Sequence, residues 1–494
     1  MKTTKIRLDT NFQIGEVDPR IFGGFLEHIG RAVYKGVYDP DNALSDEDGF
    51  RIDLLTELKK LDMTVVRYPG GNFASGYNWM DGIGPKDIRP VVRELAWQSV
   101  EPNTFGTDEF IQLCKKMNWT PMITVNLGTG TPEDARNWVE YTNCSTGTKF
   151  ADIRQEYGNI DPFDVKLWCL GNEMDGPWQM GHVPAKEYAI RAQQAARMMK
   201  YVDKSIETIV AGSCTPSLPT YIDWDITVLE HLGELADYIS LHRYVGNHEN
   251  DTSDYLAVTN AIDQQIEEID AICRMVQAKS KSNKRTYLCF DEWNVWYKNH
   301  ITDGQGKFAP HLIEEIYNLE DALVVAGFLN SFIRHADVVK IANIAQIVNT
   351  IAPIITNEHG LLIQSTFFPF QMISQNGKGT ALKIVIDGPG YDSKSYGYVN
   401  YIDASSVWNE DKLNIFLINR CLTDNLELSI ELGDRVIKRI LNCEILSGKN
   451  PKDANSFENT NILQIKKFNG VSIIDHKVNL RMPVLSFISL CVEL

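Results

Sequence analysis

A chain of 494 residues with 44% hydrophobic and 23% charged residues has an ordinary globular composition, long enough for one barrel-sized domain and a smaller companion, which excludes intrinsic disorder. Its formal net charge of -17 argues against binding a phosphate backbone, which needs clustered Lys and Arg, and favours a neutral or cationic substrate. Nine cysteines without CxxC spacing support neither a disulfide framework nor a zinc knuckle.

In chain order, the opening residues MKTTKIRLDTNFQIGEVD lack the apolar core of a secretory signal, and no later run approaches a membrane span, so a cytoplasmic location is expected. Residues 4–9 alternate apolar and polar side chains as a strand does. Eight β-rich runs follow, and predict strands over 21–26, 64–68, 121–126, 165–170, 208–213, 238–242, 286–291 and 338–345. Between them lie helical patterns. The segment 48–61 puts Ile52, Leu55, Leu58 and Leu61 on one face, Pro184 opens a helix running to 199, and 319–336 repeats Leu319, Ala322, Leu323, Ala326, Leu329 and Phe332 at helical spacing. Eight strands alternating with helices predict a (β/α)8 TIM barrel over 16–378. From about Gly379 the pattern changes to period-two alternation in LNIFLINR, LELSIEL and LSFISLCVEL, with no helical segment between them. An all-β sandwich over 379–494 is expected, with residues 1–15 contributing a strand to it.

Barrel active sites are built where strands end, because the loops there converge on the axis while the strands fix their geometry. The polar residues at those ends are Glu27 and His28, Arg67 and Asn72, Asn126, Asn172 and Glu173, His242 and Tyr244, Asp291 and Glu292, and Gln346. Each alone has a bland explanation. Arg67 could pair with Glu27 for stability, His242 could be a satisfied core histidine, and Asp291 could cap a helix. Needing such an explanation at nearly every strand end favours one shared site.

Two carboxylates facing across a barrel mouth, flanked by amides, an arginine and aromatic rings, suit glycoside hydrolysis. Glu173 and Glu292 fit that pair, as general acid/base and nucleophile, and a retaining enzyme needs their carboxyl groups about 5 Å apart. Beside Arg67 and Tyr244, Glu292 is expected to be kept ionised while Glu173 cycles its proton. Trp79, Trp97, Trp178, Trp293 and Trp296 follow strand ends, where flat rings would suit sugar faces, although core packing explains any one of them taken singly.

The stretches FGGFLEHIGRAVYKGVYDP, RYPGGNFASGYNWMDGIGP, LAWQSVEPNTFGTDEF, CLGNEMDGPWQMGH, HRYVGN, DEWNVWY and IANIAQIVNTIAPI, running in order from Phe22 to about Ile355, resemble the α-L-arabinofuranosidases of glycoside hydrolase family 51. The resemblance implies that Glu173 in GNE is the general acid/base and Glu292 in DEWN the nucleophile. It implies that Glu27, Arg67, Asn72, Asn172, Tyr244 and Gln346 hold the arabinofuranosyl ring, with Trp97 shaping the pocket. It further implies a jelly-roll sandwich that recruits the first residues of the chain, a homo-oligomer, often a hexamer, and a substrate among arabino-oligosaccharides, arabinan or arabinoxylan fragments. No metal, cofactor, nucleic acid or membrane enters this picture.

Three alternatives compete. A retaining barrel glycosidase of another specificity, such as a xylosidase or endo-arabinanase, would share the two glutamates, which set the reaction and not the sugar. A divalent-metal sugar isomerase would use Glu27, His28, His242 and Glu292 as ligands, with Arg67 a poor neighbour for a cation. A carbohydrate-binding protein without catalysis would have to lack one of the two glutamates, and both are present.

Overall fold

The computed structural model describes residues 2–298 and 305–494. Eight parallel strands close into a barrel in chain order: β1 (Gly23–Phe25), β2 (Val65–Tyr68), β3 (Thr120–Val125), β4 (Leu167–Leu170), β5 (Glu207–Val210), β6 (Tyr238–Val245), β7 (Tyr287–Val295) and β8 (Val339–Ala345), which returns to β1. The expected helices lie at Ile52–Lys60, Ala185–Val202 and Leu319–Arg334. Among the described residues no helix is long and apolar enough to cross a membrane, and all nine cysteines are free.

Period-two geometry sorts each barrel strand into two faces. Val66, Tyr68, Ile123, Trp168, Leu170, Val210 and Phe290 join the large core shared with the helices. Their neighbours Val65, Met122, Leu167, Cys169, Ile209, Cys289 and Ile341, with Tyr238, form a separate apolar cluster that plugs the barrel. One step further along the same inward rows stand Arg67, Ser240 and Asp291, two residues beyond Val65, Tyr238 and Cys289. A polar layer therefore sits directly on the apolar plug.

Strict alternation would turn Glu292 outward, next to Asp291, and the structure avoids this with a bulge. The β7–β8 register shifts between Phe290 and Trp293, and both of those rings pack outward on Phe328 of the helix Leu319–Arg334. Two consecutive residues, Asp291 and Glu292, are left facing the mouth. A second shift, between Ser240 and His242, brings His242 level with Glu292 across the β6–β7 ladder. Strands β6 and β7 accordingly run past the expected ends at 242 and 291, and carry their polar residues as strand and not as loop.

The C-terminal part is two packed sheets. A seven-stranded sheet contains Ile402–Asn409, Lys412–Asn419 and Ser486–Glu493, and a five-stranded sheet contains Leu426–Leu432 and Lys477–Met482. Lys2–Leu8 lies inside the five-stranded sheet, parallel to Leu426–Leu432 and antiparallel to Val385–Asp387. Gln13–Glu16 pairs at the edge of the other sheet, with Thr380–Leu382. Lys412–Asn419 is apolar on both faces because both are buried: Leu413, Ile415 and Leu417 enter the sandwich core, while Phe416 and Ile418 pack with the barrel. Polar bonds finish that junction, with Asp403 accepting from Asn330 at 2.7 Å and from Arg334 at 3.1 Å.

Candidate active site

The buried Arg67 guanidinium is the hub of the mouth. It donates to Glu292 Oε1 at 2.6 Å and to Asn172 Oδ1 at 2.7 Å, and its Nε lies 3.2 Å from Asp291 Oδ2. An arginine can only donate, so these contacts fix which end of the Asn172 amide faces it. The other end, Nδ2, is buried with no hydrogen-bond partner among the described residues. Arg67 Nε likewise has no hydrogen-bond partner among the described residues, but it lies against Asp291, whereas a buried amide donor left unpaired at the mouth is suited to a ligand oxygen.

Glu292 Oε2 accepts the Tyr244 hydroxyl at 2.9 Å. Burial, together with the Glu173 and Asp291 charges, raises the Glu292 carboxyl above the usual carboxylate range, and His242 and Arg67 oppose that rise. His242 and Arg67 thus offset the cost of burying this carboxylate without outweighing it, against the expectation that its neighbours keep it simply ionised. Burial and the Glu292 charge also push the Tyr244 hydroxyl well up, so it remains an O–H donor. Gly71 passes so close that a Cβ there would lie 2.8 Å from Glu292 Oε1; only glycine fits the turn of RYPGGN at that point.

Glu173 follows β4 in a left-handed conformation, φ 45°, which costs a non-glycine residue about 1 kcal/mol or more. The turn is held by Gly176 N–H donating to Glu173 O at 2.8 Å and by the buried Asp175, which accepts from Ser213 at 2.6 Å. Its Oε1 meets His242 Nδ1 at 2.9 Å and its Oε2 accepts the Trp178 indole at 2.7 Å.

His242 ties the carboxylates together. Its Nδ1 lies 3.6 Å from Glu292 Oε2 and its Nε2 lies 3.1 Å from Ser240 Oγ and 3.4 Å from Asp291 Oδ1. Burial would lower its pKa, but Glu292 and Asp291 overcome this and hold it well above the ordinary histidine value, as an imidazolium. Burial likewise works against Asp291, yet Arg67 and His242 keep its carboxyl below the usual range. A carboxylate oxygen of Glu173, one of Glu292 and a ring nitrogen of His242 all lie within 4.8 Å of one another. These three could converge on a cation, but the adjoining guanidinium and the charged imidazole disfavour one.

Glu27 forms the opposite wall. Its backbone N–H donates to Gln346 Oε1 at 2.8 Å, its Oε1 accepts from Phe73 N–H at 3.0 Å and from the Trp97 indole at 3.1 Å, and Gln346 Nε2 lies 3.3 Å from its Oε2. Burial and the Glu292 charge push this carboxyl up to about 8. Asn72, partly exposed, opens the short turn Asn72–Gly76 directly after Gly71.

Several strand-end residues belong elsewhere. Both ring nitrogens of His28 are taken, by Glu101 at 2.8 Å and Tyr68 at 2.9 Å, so the ligand set of the isomerase alternative loses a member. Asn126 Oδ1 accepts from the N–H groups of Gly128, Thr129 and Gly130 and braces its own loop. Trp79 stacks on Trp138, and Trp293 is buried against Phe328 and Phe332; both are core, while Trp97, Trp178 and Trp296 are at the mouth. His242, Asp291 and Ser240 are the residues whose weight the sequence understated. The available signal was three polar residues on the inward rows of neighbouring strands.

Comparison with known proteins agrees with this geometry. Residues 57–264 match the model of the α-L-arabinofuranosidase 1 domain, and residues 291–486 that of the α-L-arabinofuranosidase C-terminal domain. An intracellular exo-α-(1→5)-L-arabinofuranosidase of Acetivibrio thermocellus is 44% identical over 92% of this chain and 93% of its own length. A second, from Bacillus subtilis, is 45% identical over 94% of each chain. Among solved structures, a family 51 α-L-arabinofuranosidase from Bifidobacterium longum superposes with a TM-score of 0.96 at 34% identity, covering 100% of both chains. The Thermotoga maritima α-L-arabinofuranosidase in its arabinose complex gives 0.89 at 33%, again covering 100% of both. The chain belongs to the α-L-arabinofuranosidases of glycoside hydrolase family 51.

Proposed function

We propose that this protein releases terminal, non-reducing α-L-arabinofuranosyl residues by double displacement, with Glu292 as nucleophile and Glu173 as general acid/base. The observation that carries the reading is the approach of the two glutamates, from β4 and β7, to within 4.8 Å of each other, with Arg67 and Tyr244 donating to the carboxylate oxygens of Glu292, while those of Glu173 meet His242 and Trp178. Inverting enzymes hold their carboxyl groups roughly 6.5 to 9.5 Å apart to admit a water, and retaining ones about 5 Å.

In the first step a Glu292 oxygen attacks the anomeric carbon, the glycosidic C–O bond breaks, and the proton of Glu173 goes to the leaving oxygen. In the second, water attacks the same carbon, Glu173 takes its proton, and the ester bond to Glu292 breaks. Arg67 and Tyr244 stabilise the departing Glu292 carboxylate in that step. The His242 imidazolium steadies the negative charge that Glu173 acquires in the first. Asn172, Asn72, Glu27 and Gln346 hold the sugar hydroxyls, and Trp97 closes the wall behind Glu27.

The names of the relatives favour α-1,5-linked arabino-oligosaccharides as substrate and an intracellular site of action. The catalytic unit is residues 16–378, completed by the sandwich of 379–494 with 1–15, and the assembly is a homo-oligomer, a hexamer, testable by sedimentation. Proton NMR of a cleaved aryl α-L-arabinofuranoside tests the mechanism. The first sugar released should be the α anomer, and a β product would mean a single inverting displacement.

A further inference from the structure

The hairpin that carries Trp97 to the mouth is turned inside out. It leaves and returns through the short pairing of Val92–Arg93 with Val100–Glu101. Val91, Val92, Arg93, Leu95 and Gln98 are exposed, and Ala96 and Trp97 are half-buried. Between residues 91 and 99 only Glu94 and Ser99 are buried. A hairpin ordinarily points its apolar side chains inward; here Leu95, 63% exposed, lies outside, and a carboxylate, 5% exposed, lies inside.

The partners of that carboxylate are donors of its own hairpin. The Trp97 backbone N–H donates to Glu94 Oε1 at 2.5 Å and to Oε2 at 3.0 Å, with the Ser99 hydroxyl 3.5 Å from Oε2. The Glu94 N–H donates in turn to Ser99 O at 3.1 Å. Burial pushes the Glu94 carboxyl up to about 7, while the N–H groups of Trp97, Gln98 and Ala96 draw it back down. Successive backbone N–H groups turned to one point make a cradle for an anion, and this loop supplies the anion itself. Gln98 closes the turn in a left-handed conformation, φ 58°, and its carbonyl accepts from Gly306 N–H at 2.8 Å.

Trp97 is thus held at two points. Its main chain is bonded to Glu94, and its indole N–H donates to Glu27 Oε1 at 3.1 Å. The ring meets Glu27 only while its backbone stands where the Glu94 carboxylate gathers it.

We propose that Glu94 is a positioning residue: by gathering the backbone N–H groups of its own hairpin, it sets Trp97 against Glu27 and completes that wall of the sugar pocket. The inference rests on Glu27 and Trp97 lining the pocket. Glu94 itself stands behind the wall, so its effect on turnover passes through Trp97.

The test is a double-mutant cycle, read as kcat and KM on an aryl α-L-arabinofuranoside. Glu94→Gln keeps the length of the side chain but turns an amide NH2 toward N–H donors. It should lower kcat/KM about tenfold, chiefly by raising KM, as expected for the loss of one charge-assisted hydrogen bond. In a Trp97→Ala background the same substitution should change kcat/KM by less than about twofold, because no ring is left to place. A tenfold loss in both backgrounds would mean that Glu94 acts independently of Trp97. An unchanged kcat/KM in Glu94→Gln would mean that it positions nothing, and failure of that variant to fold would mean that it serves the fold; each of the three overturns the proposal. Wild-type kcat/KM in Trp97→Ala alone would remove Trp97 from the sugar pocket, and so overturn the reading beneath the proposal together with it.

Discussion

The barrel mouth and the interior of the sandwich are both buried, but they are filled on opposite principles. Between the two sheets lie Ile6, Leu413, Ile415, Leu417, Leu428 and Leu490, a region held by area removed from water. The mouth buries Glu27, Asp291 and Glu292 with Arg67 and His242, beside Glu173. Four acids there meet two bases, so the site carries more negative charge than it can pair; the Glu27 carboxyl is pushed up to about 8 and that of Glu292 is raised as well. A fold selected for stability alone would put hydrocarbon at such a place. The mouth is expensive in stability and productive in chemistry, and the sandwich is the reverse.

That contrast can be broken most sharply at Glu292. Glu292→Gln should reduce kcat by at least about 10⁴-fold while the melting temperature stays level or rises, because a buried carboxylate has been removed. A variant retaining a tenth of wild-type kcat would remove Glu292 from the role of nucleophile. Next in size, Glu173→Ala should cost about 10³-fold on an arabino-oligosaccharide and far less on a dinitrophenyl arabinofuranoside, whose leaving group needs no proton. Added azide should restore turnover in that variant by replacing water as the second nucleophile, with an arabinofuranosyl azide as product.

In the sandwich the expectation inverts. Leu490→Ala should destabilise the protein by about 2–5 kcal/mol in denaturant unfolding, with kcat per folded molecule unchanged. A fall in kcat would show the two regions to be coupled. A further expectation concerns pH. The Glu27 carboxyl rises from 4.5 in the unfolded chain to about 8 in the folded one, so the folded state binds the extra proton and stability falls as pH rises through that window. Glu27→Gln should flatten the decline, and an unaltered slope between pH 5 and 8 would place the proton elsewhere.

Much of this was legible in the sequence. The barrel follows from eight apolar runs, and the pair Glu173 and Glu292 from the polar residues that end two of them. The bulge is what period-two reasoning cannot supply: alternation sends Asp291 and Glu292 to opposite faces, and only the register shift between Phe290 and Trp293 turns both inward. His242 illustrates the same limit, since a lone histidine at a strand end carries no mark of the three carboxylates around it. Trp79 and Trp293 sit close to mouth residues in the chain, yet their rings point into the core. Proximity along the chain does not tell which way a side chain faces.

The placement of Lys2–Leu8 between two late strands bears on how the chain is made. Arg7 donates to Glu431 at 3.0 Å, a partner 424 positions away. A strand that leaves the ribosome before the barrel must wait, with its hydrogen-bonding edges bare, until the barrel and then Leu426–Leu432 have been synthesised. The alternation of Lys5 and Arg7 with Ile6 and Leu8 keeps half of that waiting segment charged, which discourages premature pairing with other nascent strands. The barrel is complete in the emerging chain before its companion can close, and a strand made ahead of the barrel finds its place only after it.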